Sequence, residues 1–418
     1  MLSIFDLIAI LLVLTAVLGW LNLRFLRLPH TIGLLVMGLC ASLLLIAVEL
    51  SFPEETLHES LTTVVRQIDF QDTVMNGMLA FLLFAGALHV DLAALRNRSW
   101  AVGTMATLGV LLSTGVVGIG FWWAANALGL AVPLAWAFVF GALISPTDPV
   151  AVLSTLKVVQ VPQALKIDMT GESLFNDGVG VVIFSVLLAV ATSVESGGIT
   201  ATEIASLFFI EALGGALLGM ATGYLAYRAM RAVDDYALEV LISLALVAGT
   251  YTLAGSLHMS GPIAVVVAGI LTGNHGSRFA MSDKTQEYLF SFWTLIDEIL
   301  NSLLFLLIGL EVLVMRFDWS FGWMGVVVIP LVLLARFFAV AVPVGLLGSA
   351  QNFSRGTIPI LTWGGLRGGI SIALALSIPE VAEKSLILAA TYTVVVFSIV
   401  VQGLSLPAVV RLATRKSG

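Results

Sequence analysis

Apolar runs of about twenty residues follow one another along almost the whole of this 418-residue chain. As a helix, a run of this length matches the hydrocarbon thickness of a bilayer, and only helices and closed barrels satisfy their backbone there. Charged residues make up 11% of the chain, against about 25% in a soluble domain. The sequence therefore predicts an all-α polytopic membrane protein rather than a soluble domain.

Breaker residues divide the apolar sequence into about 13 spans. The N-terminal stretch lacks the basic start and the small-residue cleavage site of a signal peptide, so we interpret it as a retained first span. The predicted spans cover residues 3–22, 31–49, 72–90, 99–128, 133–156, 169–195, 201–231, 235–256, 260–273, 284–313, 321–349, 356–378 and 385–410.

The placement of Lys and Arg predicts an orientation in the cell (inner) membrane. If the first loop, RFLRLP, is cytoplasmic and the sides alternate, 14 of the 19 basic residues are cytoplasmic. Arg66, Arg316 and Lys384 fall on the other side, while Arg336 and Arg367 lie within spans. This positive-inside pattern predicts an external N-terminus and a cytoplasmic C-terminus. The cytoplasmic set is Arg24, Arg27, Arg96, Arg98, Lys157, Lys166, Arg228, Arg231, Arg278, Lys284, Arg355, Arg411, Arg415 and Lys416.

Breakers interrupt two of the spans. In the fifth span Pro146 and Pro149 flank Thr147 and Asp148, and in the twelfth the run GGLRGG surrounds Arg367. Because the two spans are seven apart, they cross the membrane in opposite directions, as in an inverted repeat. Paired breaks point to a transport site between repeats, although prolines and glycines also kink membrane helices for other reasons.

We therefore predict one transmembrane unit built as a 6+1+6 inverted repeat. Spans 1–6 (3–195) form the first repeat, span 7 (201–231) connects, and spans 8–13 (235–410) form the second. Few residues follow the last span, so we expect no soluble regulatory domain.

The first break lies near the middle of the bilayer, since residues 133–145 advance about 18 Å as a helix. Pro146 and Pro149 lack amide hydrogens, so carbonyls such as that of Thr147 lose their helical partners and can bind a dehydrated cation. Asp148 has two compatible interpretations: it can cap the half-helix that follows, or it can bind the ion.

Four polar residues occupy two adjacent stripes of the sixth span. Ser173 and Asp177 share one face, and Glu172 and Asn176 share another about 100° away. Because an Asp at membrane depth costs about 2.5–3.5 kcal/mol, such carboxylates usually mark an ion or proton path. The first stripe offers a cation a hydroxyl and a carboxylate, and the second can orient them. Glu172 also lies near the helix start, where a carboxylate favours the helix dipole.

Two arginines inside spans require anionic partners, because a guanidinium does not lose its proton in proteins. Glu172 is the first candidate partner for Arg367, and Asp297 or Glu298 of the tenth span can supply the charge for Arg336. We interpret both arginines as scaffold charges that balance the site.

Five strings in order resemble the sodium/proton antiporters of the NhaP-like branch, which are related to the mammalian sodium/proton exchangers. They are FLLFAGALHVDLAALR, SPTDPVAV, GESLFNDGVGVVIF, NSLLFLLIGLEV and GGLRGGISIALAL. The resemblance covers essentially the whole chain. It implies a homodimer with a mobile core domain, crossed unwound helices at spans 5 and 12, and a role in sodium transport and pH homeostasis.

The resemblance also implies an ion site. By motif match, its ligands are the Thr147 carbonyl, Asp148, Glu172, Ser173 and Asp177. Asn176 and Asp177 match the asparagine–aspartate pair of the electroneutral branch. Arg367 matches an arginine thought to pair with the glutamate of the sixth span.

These features predict a secondary active antiporter that exchanges Na⁺ or Li⁺ for H⁺ at Asp177 and uses no cofactor. One carboxylate that holds either ion predicts one Na⁺ per H⁺ and no net charge moved. K⁺/H⁺ antiport on the same scaffold stays open, because a sequence shows neither ligand number nor cavity size. The alternative from another class is a passive cation channel, for which the sequence offers no pore loop or charged ring.

We do not expect an enzyme. The chain lacks the HExxH and GxSxG motifs, and no histidine lies near Ser173 in sequence. The expected partners are membrane lipid and a second copy of the chain, not a nucleic acid.

Overall fold

The computed structural model describes residues 3–51, 69–148, 161–193, 200–313, 322–348, 351 and 353–414. All regular secondary structure in those ranges is helical, which confirms the predicted fold class. Ten of the helices are long and apolar enough to cross a membrane, so the chain is a multi-pass membrane protein. The number of about 13 spans and the inverted repeat stay predictions.

Apart from the three-residue helix Ser277–Phe279, the helices of the described residues are numbered α1 to α14, and four of them contain an internal π-helical turn. Those turns are Thr73–Met78 in α3, Met105–Gly109 in α4, Ile210–Gly214 in α7 and Ser398–Gln402 in α14. The helix bounds are α1 Ile4–Leu21, α2 His30–Ser51, α3 Phe70–Leu88, α4 Leu92–Ala127, α5 Leu134–Ile144, α6 Gln163–Ser193, α7 Ala201–Arg231, α8 Tyr236–Ser256, α9 Gly261–Leu271, α10 Asp283–Glu311, α11 Gly322–Leu347, α12 Thr357–Trp363, α13 Gly369–Leu376 and α14 Lys384–Thr414.

Two helices begin earlier than their apolar runs predict. The start of α4 precedes the predicted residue 99 because the Asp91 carboxylate accepts hydrogen bonds from the amides of Ala93 and Ala94. Helix α6 begins directly after Pro162 instead of at residue 169. Hydropathy marks only the apolar part of each helix, whereas capping sets where the helix starts.

The second predicted break is present, the described part of the first is non-helical, and the two touch each other. Helix α5 ends at Ile144 and the chain is non-helical through Asp148, while residues 364–368 separate α12 from α13. The Asp148 amide donates to the Leu366 carbonyl at 2.8 Å, which joins one break to the other. Gly180 of α6 lies against the ring of Pro146, where a Cβ atom would not fit.

Some predictions lie outside the described residues. They concern the second half of the fifth span, with Pro149, and five of the basic residues used for the orientation. Those five are Arg66, Lys157, Arg316, Arg415 and Lys416.

The interior of the protein is packed around α5. Its Ala137, Phe140 and Leu143 are fully buried, and the Phe140 ring lies 4.3 Å from that of Phe121 on α4, centroid to centroid. By contrast, α1 and α7 bury only 17% and 11% of their most apolar windows within the chain. These two helices therefore lie at the periphery and present apolar faces to their surroundings.

Candidate functional site

A cavity of about 740 Å³ lies between α2, α3, α6, α10 and the two breaks. Much of its wall is apolar, with Leu83, Leu174 and Ile370 among the contributing side chains. Carboxylates line it in two places, at Asp148 and Asp177 beside the breaks and at Asp297 and Glu298 on α10.

Asp177 lies on the α6 wall of this cavity and is only 6% exposed. Thr147 and Asp148 line the same cavity, so the structure brings together three of the predicted ion ligands. No residue in the described part of the chain donates a hydrogen bond to the Asp177 carboxylate. The group is thus buried at the cavity wall, beside Thr147 and Asp148.

A triangle of hydrogen bonds fixes the first break to α6. The Asn176 side chain accepts from the Thr147 amide at 3.2 Å and donates to the Thr147 hydroxyl at 2.8 Å. The Thr147 and Ser173 hydroxyls lie 2.9 Å apart. Asn176 and Ser173 therefore position Thr147. The sequence predicted an orienting role for Asn176, but it predicted Ser173 to be an ion ligand beside Asp177.

Glu172 pairs with Arg336, and both predicted pairings of these groups are wrong. Both Glu172 carboxylate oxygens accept from the Arg336 guanidinium, one of them at 2.9 Å, and both side chains are buried. Arg336 Nε also donates to the Leu361 carbonyl at 3.2 Å. The pair requires a glycine at position 365, because a Cβ atom there would overlap the Arg336 guanidinium.

Arg367 binds backbone carbonyls instead of Glu172. Its Nη1 donates to the carbonyls of Ser145 and Pro146, the latter at 2.9 Å, and the residue is 1% exposed. Its Nε and Nη2 have no hydrogen-bond partner among the described residues. Carbonyls that the first break removes from the α5 ladder thus receive a charged donor from the second break.

Asp148 is held by the second break. Besides the bond from its amide to Leu366, its carboxylate lies against Gly368, where a Cβ atom would come within 2.6 Å of Oδ2. The half-helix that Asp148 was predicted to cap lies outside the described residues, so its capping role stays a prediction.

One ion pair was missed by the sequence reasoning. Asp168 of α6, 1% exposed, accepts from Arg98 Nε at 2.8 Å and also from its Nη2, and the guanidinium lies 5.0 Å from the centroid of the Phe353 ring. The spacing of the acids could have pointed to Asp168, because it lies four residues before Glu172 and therefore on the same face of α6. Asp168, Glu172 and Asn176 therefore tie three successive turns of α6 to α4, α11 and the first break.

The donor set around Asp177 suits a monovalent cation that is bound and released. It offers carboxylate, hydroxyl and backbone oxygens, which hard cations prefer. Among the described residues there is no group of three or more His, Cys, Asp or Glu arranged to hold a metal ion.

Comparisons with known proteins agree over nearly the whole chain. A family model described as sodium/hydrogen exchanger, transmembrane, matches residues 11–412. The chain is 46% identical to the Na(+)/H(+) antiporter NhaP of Pseudomonas aeruginosa, over 97% of this chain and 96% of the relative. It is 37% identical to the Na(+)/H(+) antiporter NhaH of Halobacillus aidingensis, over 93% of each.

A solved structure also matches. The sodium proton antiporter MjNhaP1 from Methanocaldococcus jannaschii, at pH 8, superposes with a TM-score of 0.77. The match covers 99% of this chain and 100% of that one at 18% sequence identity, so it shows a shared fold.

Proposed function

The chain belongs to the sodium/hydrogen exchanger family, and on that premise we propose that it is an antiporter exchanging Na⁺ or Li⁺ for H⁺. The relatives NhaP and NhaH, both named as Na(+)/H(+) antiporters, align with nearly all of this chain. The exchange takes place at a site centred on Asp177, by alternating access from the two sides of the membrane.

The observation that carries this proposal is the setting of Asp177. Its carboxylate is buried, lines a cavity, and receives no hydrogen bond from the described part of the chain. A buried carboxylate without hydrogen-bond donors needs a counterion or a proton, because a bare charge is costly away from water. Either a cation or a proton neutralises the carboxylate, and the two cannot bind at the same time. Binding of a cation therefore releases a proton.

The charges around the site favour one cation per proton. Glu172 and Asp168 are neutralised by Arg336 and Arg98. Arg367, bound to carbonyls, keeps one positive charge beside the two carboxylates of Asp148 and Asp177. Because the one carboxylate of Asp177 holds either one Na⁺ or one H⁺, each cycle exchanges one cation per proton and moves no net charge.

Neutralisation by either ion lets the loaded site move through apolar surroundings, whereas the empty charged site is held back. The three links along α6 join it to α4, α11 and the first break, so these elements move together. We propose that they carry Asp177 between the two sides while the peripheral α1 and α7 stay in place.

The expected setting is a homodimer in the cytoplasmic membrane, with the N-terminus outside and the C-terminus in the cytoplasm. The bias of Lys and Arg supports this orientation. The cavity wall includes Lys166, His30 and His89, which the predicted topology places near the cytoplasmic side. The apolar faces of α1 and α7 are available to a second subunit or to lipid.

Ion flux in proteoliposomes tests the function. Purified protein is reconstituted with a pH-sensitive dye inside, and Na⁺, Li⁺ or K⁺ is added outside in turn. We expect saturable proton movement that requires Na⁺ or Li⁺. Proton movement with K⁺ but not with Na⁺ or Li⁺ would instead identify a K⁺/H⁺ antiporter. Non-saturating cation flux without a proton gradient would identify a channel.

A further inference from the structure

The second break lacks one helical hydrogen bond that two side chains of α14 replace. In an unbroken helix the Trp363 carbonyl would accept from the Arg367 amide, four residues later. Here the Trp363 carbonyl accepts from Gln402 Nε2 at 3.0 Å, and the Arg367 amide donates to Ser398 Oγ at 2.9 Å. Each half of the missing bond therefore has its own partner.

The spacing of Ser398 and Gln402 on α14 matches the spacing of the two backbone groups that they bind. Ser398 and Gln402 begin and end its π-helical turn, and they are four residues apart, as are the two backbone groups that they bind. Both side chains are buried, Ser398 at 0% and Gln402 at 4% exposure. Buried backbone groups need hydrogen-bond partners. Because Ser398 and Gln402 supply them, the segment gains no hydrogen bond at these two groups by closing into a helix.

The segment that they hold carries the contacts of the ion site. Leu366 accepts the Asp148 amide, Arg367 donates to the carbonyls of Ser145 and Pro146, and Gly368 leaves room for the Asp148 carboxylate. If residues 363–367 closed into a helix, these groups would move away from the first break.

We propose that Ser398 and Gln402 are positioning residues that hold the second break open and thereby set the position of Asp148 for cation binding. They touch neither the cation nor Asp177. The inference rests on the proposed function, because its main readout is the apparent affinity for the exchanged cation.

The test compares Ser398→Ala, Gln402→Met and the double variant with the wild type, by Na⁺-dependent proton flux in proteoliposomes. Loss of one hydrogen bond at this segment should raise the apparent KM for Na⁺ roughly fivefold to tenfold in each single variant. The maximal rate per folded protein should change less than KM. Because the two residues act on one segment, the double variant should raise KM by less than the product of the single effects.

Thr391→Val is the matched control. Thr391 also carries a buried hydroxyl on α14, but it donates only to the Ile387 carbonyl of its own helix. The KM of Thr391→Val for Na⁺ should therefore equal that of the wild type. If Gln402→Met does not fold, Ser398→Ala tests the segment by itself, because it removes the hydroxyl that accepts from the Arg367 amide and introduces no charge.

The outcomes separate the two claims. The positioning role would be overturned if the wild type is active and the variants keep a KM for Na⁺ within twofold of it, whether or not their maximal rate falls. A wild type that is silent with Na⁺, Li⁺ and K⁺ would overturn the proposed function and this inference with it.

Discussion

At the scale of single residues, Asp177 is the group that the exchange requires in two forms, ionised with a cation and neutral with a proton. Asp177→Asn keeps the shape of the side chain but can do neither, so we expect exchange to be abolished while the protein stays folded. Proton flux in proteoliposomes measures the activity, and size-exclusion chromatography checks folding. Asp283→Asn, an exposed acid at the start of α10, controls for the lost negative charge. Full activity of Asp177→Asn would contradict the mechanism.

The Glu172–Arg336 pair gives a stability prediction at the same scale. Glu172→Gln leaves the Arg336 charge buried without its partner, and breaking a buried pair in this way costs about 3–5 kcal/mol. We expect a clear fall in the thermal unfolding midpoint of the purified protein. Removing both charges with Glu172→Gln and Arg336→Gln should restore much of the loss, because no unpaired charge remains.

That comparison also separates structure from transport. If Glu172 is itself an ion ligand, as the motif match implies, the double variant will fold but exchange Na⁺ poorly. A double variant as unstable as Glu172→Gln would show that the pair contributes more than charge compensation.

At the scale of elements, the close contact between α6 and the first break depends on a glycine. A Cβ atom at Gly180 would overlap the Pro146 ring, so Gly180→Ala must push the break away from α6. Overpacking of this kind costs about 1–3 kcal/mol. It should also weaken the two hydrogen bonds between Asn176 and Thr147 and raise the apparent KM for Na⁺.

Gly103→Ala is the control for that change. Gly103 lies in α4 with no atom within 4 Å of its added Cβ, so the substitution should leave exchange unchanged and stability equal or slightly higher. The melting temperature and the Na⁺ dependence of flux are measured for both variants. Equal behaviour of the two would mean that the approach of Pro146 to α6 does not matter for transport.

Elements could be predicted from the sequence where their cause is local. Apolar length gives the helices, and the prolines around Thr147 and the glycines around Arg367 give the breaks. The pairing of arginines could not be predicted, because Arg336 and Glu172 are 164 residues apart and Arg367 and Ser145 are 222 apart. Nothing in one sequence shows which buried acid each guanidinium meets.

Helix periodicity had a similar limit. It shows that Ser173 and Asp177 share a face of α6, but it does not show what lies opposite that face. In the structure Ser173 meets Thr147, whereas Asp177 lines the cavity. The choice is made by the packing of the first break against α6, which is a tertiary contact.

At the scale of the whole molecule, the arrangement of charges makes a prediction about membrane potential. If each loaded form of the site is neutral, no net charge crosses the membrane in a cycle, and an imposed potential should not change the initial rate. Moving one net charge through 100 mV is worth about 2.3 kcal/mol, or roughly a fiftyfold change in an equilibrium constant. Voltage dependence is therefore easily detected in proteoliposomes with a K⁺ gradient and valinomycin, and finding it in the wild type would refute one-for-one exchange.

Arg367 is the charge on which this balance depends. Arg367→Gln removes one buried positive charge from between the two breaks, so the site loaded with one Na⁺ is one charge more negative than in the wild type. We expect slower exchange whose rate now depends on the potential, because the loaded site carries that charge through the membrane field. Arg367→Lys keeps the charge but moves it to an ammonium group on a different stem, which disturbs the two bonds that Nη1 donates to the Ser145 and Pro146 carbonyls. It should therefore slow exchange without adding voltage dependence. Voltage dependence in both variants would assign the effect to the lost geometry of the break, whereas its absence from Arg367→Gln would show that Arg367 does not balance the site.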